Sequence, residues 1–108
     1  MDLGQLIVPS GITAFALFLI SLMSGFYRRR MRVVHSVSAY LCLAVVLFHS
    51  AAAMLCGIFE PVGLLASAGM ILSVFSGIFG WGMTAHITLG IITLVLSVAH
   101  VVFIQVMK

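Results

Sequence analysis

The chain has 108 residues, 64% of them hydrophobic and 6% charged, with a formal charge of +3. A soluble domain carries about a quarter charged residues, so this composition excludes a polar coat and makes lipid the expected solvent. Four of the five cations, Arg28, Arg29, Arg30 and Arg32, sit in one short segment between apolar runs, which is not the broad basic face that nucleic-acid binding requires.

A membrane-spanning helix needs about 20 apolar residues, and only helices or closed barrels satisfy every backbone group in hydrocarbon. The apolar runs here are continuous rather than alternating, which favours helices. The first is expected over about residues 6–27. Its basic residues follow the run, and its length exceeds the roughly 7–15 residues of a signal-peptide core, so it reads as a retained span. The arginine turn comes next, and Lys and Arg in short loops collect on the cytoplasmic side. The second helix is expected over about 33–56, the third over about 61–79 and the fourth over about 83–107. Gly57 to Glu60 form the loop before the third helix, where Pro61 suits a first helical turn. Gly80-Trp81-Gly82 form the turn before the fourth. The fold class is all-α: an integral membrane four-helix bundle, one domain over residues 1–108. Both termini and the 57–60 loop, with Asp2, Glu60 and Lys108, are expected outside. Helices two and four then run parallel, from inside to outside. Tyr27 and Trp81 fall where interfacial aromatics sit.

All four histidines lie in the apolar helices: His35 and His49 on the second, His86 and His100 on the fourth, each pair 14 positions apart. At 100° per residue, 14 steps return to within about 40° of the starting direction, so each pair shares a helix face, with about 21 Å of rise between its members. With parallel helices, His35 and His86 lie at one depth near the inside, and His49 and His100 at a second depth near the outside. Each level offers two imidazoles from opposite sides, which suits six-coordinate haem iron. Cys42 and Cys56 form neither a C-x-x-C pair nor a C-x-x-C-H motif, so covalent c-type haem is not indicated.

The chain also repeats. Pro9-x-Gly11 recurs as Pro61-x-Gly63 and Ser21-x-x-Ser24-Gly25 as Ser73-x-x-Ser76-Gly77, both 52 positions on, while the two histidines recur at an offset of 51. This reads as a tandem two-helix repeat, of the parallel kind related by an axis along the membrane normal. Helices one and three run from outside to inside, so Gly11 and Gly63 fall near the depth of His49 and His100, and Gly25 and Gly77 near that of His35 and His86. Glycine lets a flat macrocycle approach bare backbone.

The pattern Gly-x13-Gly, His-x13-His, Gly-x13-Gly, His-x13-His resembles the four-helix dihaem core of cytochrome b from quinol-oxidising bc-type complexes, and it covers nearly the whole chain. Ferric reductases and superoxide-generating oxidases have membrane cores with similar histidine spacing. The resemblance implies two b-type haems, an inner one ligated by His35 and His86 and an outer one by His49 and His100. It also implies that Gly11, Gly25, Gly63 and Gly77 make room for the rings. The long loops and later helices that build the outer quinol pocket of cytochrome b are missing, so bifurcating quinol oxidation is not implied.

Plainer readings stand beside these. A helix histidine is often a packing residue, but ionisable residues in spans are functional candidates by default. Zinc or copper transport would want ligands clustered at one level, and no Asp or Glu lies within the spans to back such a site. Glycines in spans commonly serve helix packing. Cys42, midway between His35 and His49, corresponds by the repeat to Thr93, and both read as small filler. The arginines satisfy the inside-positive rule, and Arg32, one turn from His35, is also placed to pair with an inner haem propionate. The functional expectation is transmembrane electron transfer by a non-catalytic cytochrome subunit of an oxidoreductase complex in a prokaryotic cell membrane. Its partners would be a dehydrogenase, reductase or c-type cytochrome subunit, and quinone. The alternatives are a free-standing quinol or ferric reductase and, in another class, a haem or metal transporter.

Overall fold

The computed structural model describes residues 2–27 and 30–107. It is all-helical: α1 Leu3–Phe26, α2 Arg32–Leu55, α3 Pro61–Ile78 and α4 Met83–Val106. The contacts divide the chain into two compact units, Met1–Ile58 and Phe59–Lys108. In the first, α1 packs along α2; in the second, α3 packs along α4. Each unit is an antiparallel helical hairpin.

Capping chemistry fixes the ends. The Asp2 side chain accepts from the Gln5 amide and the Gln5 side chain accepts from the Asp2 amide, a capping box that starts α1 at Leu3 rather than near residue 6. Pro9 therefore lies inside the helix and not at its first turn. The second helix ends in a Schellman motif: Gly57 has φ +77°, its N–H donates to the Met54 carbonyl, and the Ile58 N–H donates to the Ala53 carbonyl. The end of α3 is similar, with Gly80 at φ +63° and the Trp81 N–H donating to the Ser76 carbonyl. Only glycine adopts these backbone angles without strain. Pro61 opens α3, with Glu60 as its N-cap.

All four helices are long and apolar enough to cross a membrane. Three have 24 residues and α3 has 18, which at the helical rise give about 36 Å and about 27 Å against a hydrocarbon core of about 30 Å. Large apolar side chains such as Ile12, Val33, Val95 and Val102 are more than half exposed, as expected where lipid is the solvent. This is the make-up of an integral membrane protein.

The seam of each hairpin is built from small residues. Ala14, Phe18, Ser21 and Ser24 of α1 are buried, with Ser38, Cys42, Val46 and Ala52 of α2. In the second hairpin the buried residues are Ala66, Met70, Ser73 and Ser76 of α3 and Gly90, Thr93 and Ser97 of α4. Hydrocarbon supplies no hydrophobic drive between helices, so close backbone approach and hydroxyl hydrogen bonds take over. Ser73 Oγ and Thr93 Oγ1 meet across the second seam at 3.3 Å, while Ser24 and Ser76 satisfy their hydroxyls on their own helices, at the Ser21 (3.0 Å) and Ser73 (2.6 Å) carbonyls, and serve the seam by their small size.

Candidate functional site

Each of the four histidines lies in a hairpin seam, opposite the glycine assigned to its depth. The contact shows in what a methyl group on each glycine would meet. A Cβ at Gly11 would stand 2.8 Å from Cε1 of His49, and one at Gly25 3.2 Å from Cε1 of His35. In the second hairpin the distances are 2.5 Å from Gly63 to His100 and 3.2 Å from Gly77 to His86. Within each hairpin the imidazole occupies the space that a side chain on the glycine would take.

The Nδ1 atom of every imidazole is bound by the neighbouring helix of its own hairpin or by that helix's cap. For His35 the partner is the Ser21 carbonyl at 2.7 Å, and for His49 the Ile7 carbonyl at 2.9 Å with Ser10 Oγ at 3.1 Å. For His86 it is Ser76 Oγ at 2.7 Å, and for His100 it is Glu60 Oε2 at 2.6 Å. A carbonyl or a carboxylate only accepts, so the ring nitrogen facing it donates. The Ser76 hydroxyl already gives its proton to the Ser73 carbonyl, so it too accepts from His86. Each ring therefore donates from Nδ1, and Nε2 is the nitrogen that a neutral imidazole would offer to a metal. That is the arrangement of a metal-ligating histidine whose other ring nitrogen is oriented by the surrounding protein.

Glu60 is a histidine partner that the sequence does not reveal. The sequence places it in the 57–60 loop, outside the spans. It does lie outside α3, but as the N-cap it folds back, accepting from the amides of Val62 (3.0 Å) and Gly63 while its Oε2 accepts a hydrogen bond from His100 Nδ1. Burial opposes its ionisation; the hydrogen bonds from the Gly63 amide, His100 and the Val62 amide outweigh that, and hold the carboxyl below its ordinary range. Gly69 was also missed: a Cβ there would stand 2.5 Å from Thr93 Oγ1. Cys42 and Thr93 face these seams, Cys42 with Sγ 3.4 Å from the Ala14 carbonyl and Thr93 with Oγ1 3.3 Å from Ser73 Oγ. Arg32 opens α2 and is exposed, one turn before His35. Arg28, Arg29 and Lys108 of the orientation argument lie outside the described residues.

The donor set suits haem, for which neutral imidazole is an established axial ligand. Among the described residues, two buried hydroxyls lack a hydrogen-bond partner, those of Ser50 and Ser97; both lie on the histidine helices, Ser50 beside His49 and Ser97 one turn before His100. Among the described residues no three His, Cys, Asp or Glu side chains cluster as a closed metal cage does. No protein-family model, curated protein or solved structure matches the chain.

Proposed function

We propose that this protein carries electrons across a membrane by means of two non-covalent b-type haems, as the cytochrome subunit of a larger redox complex. The observation that carries the reading is the uniform treatment of the histidines: four of four have Nδ1 bound by their own hairpin and lie against bare glycine backbone. Any imidazole in hydrocarbon needs an acceptor for its N–H; the same nitrogen bound in all four rings, at two matched depths, also gives the fixed tautomer and ring plane that an axial ligand needs.

Haem iron, when bound, supplies a one-electron couple. The chain's own residues do the rest. His35 and His86 are assigned to the inner haem and His49 and His100 to the outer, on their spacing along helices two and four. The hydrogen bonds at Nδ1 hold each ring in one orientation. The apolar spans keep the site dry, which is one lever on potential. Arg32 is assigned to an inner propionate, and Gly11, Gly25, Gly63 and Gly77 to the clearance that makes room for the haem rings and their ligand imidazoles.

The arginine turn is assigned to the cytoplasmic face by the inside-positive rule, with both termini and the 57–60 loop outside, in a prokaryotic cell membrane. The turns between helices are too short to fold a catalytic domain, so donor and acceptor are sought in partner subunits (a dehydrogenase, a reductase or a c-type cytochrome) and in quinone. The deciding experiment is a spectrum of the purified protein through a reduction and re-oxidation cycle. Two reversible low-spin haem components support the reading; a bound metal or haem that does not cycle favours a transporter and overturns it.

A further inference from the structure

We propose that Glu60 is a positioning residue that makes His100 a stronger electron donor than the same ring would be against a neutral acceptor, and so lowers the potential of the outer haem. This rests on the haem reading above.

The contact is charge-assisted and short: Glu60 Oε2 lies 2.6 Å from His100 Nδ1. Carboxylate acceptors bind such N–H groups about twice as strongly as neutral ones do. Glu60→Gln replaces that carboxylate oxygen with a neutral amide oxygen of the same reach. A carboxylate draws the Nδ1 proton toward itself and raises the basicity of Nε2 across the ring. A more basic axial nitrogen favours the ferric state, and hydrogen bonding behind the ligand is a recognised lever on haem potential.

Capping alone does not account for a glutamate here. Helix N-caps favour Ser, Thr, Asp and Asn, whose short side chains meet the first amides directly. Glu60 reaches those amides and also His100, which its extra methylene makes possible. The amides of Val62 and Gly63 in turn hold the carboxylate in place. In the first hairpin the position 52 residues earlier is Val8, which offers no acceptor. The cap of α1 is instead Asp2, bound to Gln5.

The test compares the purified wild-type holoprotein with Glu60→Gln, which keeps the acceptor and removes the charge. Readouts are haem per chain, redox titration of both components and the low-spin EPR signals. The component lost in His100→Ala defines the outer haem. The expected result is two haems retained, the outer potential raised, its EPR signal shifted and the inner component unmoved. Loss of the outer haem alone also supports the role. Two haems with neither potential moved overturns it, as does an equal change in both. Loss of both haems makes Glu60 a general structural residue and likewise overturns it. A wild-type chain that binds no haem defeats the haem reading instead. The contact is then judged in the haem-free protein by imidazole NMR: a strongly downfield His100 Nδ1 proton, lost in Glu60→Gln, upholds the positioning contact, and its absence in the wild type removes it.

Discussion

A methyl group on Gly63 would sit 2.5 Å from Cε1 of His100, well inside van der Waals contact, whereas the same group on Gly77 would sit 3.2 Å from Cε1 of His86. The glycines are therefore not equivalent. Gly63→Ala and Gly11→Ala must displace an imidazole that a hydrogen bond holds in place, while Gly25→Ala and Gly77→Ala need shifts of only a few tenths of an ångström. Overpacking costs about 1–3 kcal/mol, and the first two variants are expected at the upper part of that range. Thermal unfolding in detergent ranks them; four equal losses would contradict the geometry.

Larger side chains at the same positions should separate the two levels. Gly25→Leu and Gly77→Leu are expected to displace His35 and His86 and to lose the inner haem. Gly11→Leu and Gly63→Leu are expected to lose the outer haem, about 21 Å away along the helix axis. Each haem is followed by its own potential. If the glycines served packing alone, both haems would weaken together in every variant.

Replacing either member of a ligand pair should remove the same haem. His35→Ala and His86→Ala are expected to lose one redox component, and His49→Ala and His100→Ala the other. Redox titration of the single variants checks this. Loss of one component by both His35→Ala and His49→Ala would mean that the pairing across helices two and four is wrong.

Acid-acetone extraction should release two haems per chain and leave none on the polypeptide. Because each seam is closed by residues of its own hairpin, the extracted chain should keep its helical circular dichroism in detergent. Its melting temperature should fall, since a ligand that binds the folded state stabilises it. Haem that resists extraction, or a ratio near one, would count against two non-covalent sites.

The helices were legible because long uncharged runs have few alternatives in hydrocarbon, and because Gly57, Pro61 and Gly80 punctuate them. The start of α1 was not, since its signal is one Asp2–Gln5 pair outside the apolar pattern. Which glycine faces which histidine followed from helix rise alone. The hydrogen-bond partners did not: the carbonyls of Ile7 and Ser21 leave no side-chain signature, and the serines look like ordinary seam residues. Glu60 left a faint signal, a glutamate at a cap position that shorter residues favour, three residues before a glycine at histidine depth. Its reach depends on how α3 is rotated against α4, which one sequence does not reveal.

The bonding of His35 and His49 to α1 bears on how the chain enters a membrane as it is made. A polar group unsatisfied in hydrocarbon costs several kcal/mol. The first hairpin meets the Nδ1 proton of His35 with the Ser21 carbonyl and that of His49 with the Ile7 carbonyl, both supplied by the helix synthesised just before. Once α1 and α2 have left the ribosome, these two protons have acceptors without help from α3 or α4, so the hairpin can move into lipid while the remaining helices are still being translated.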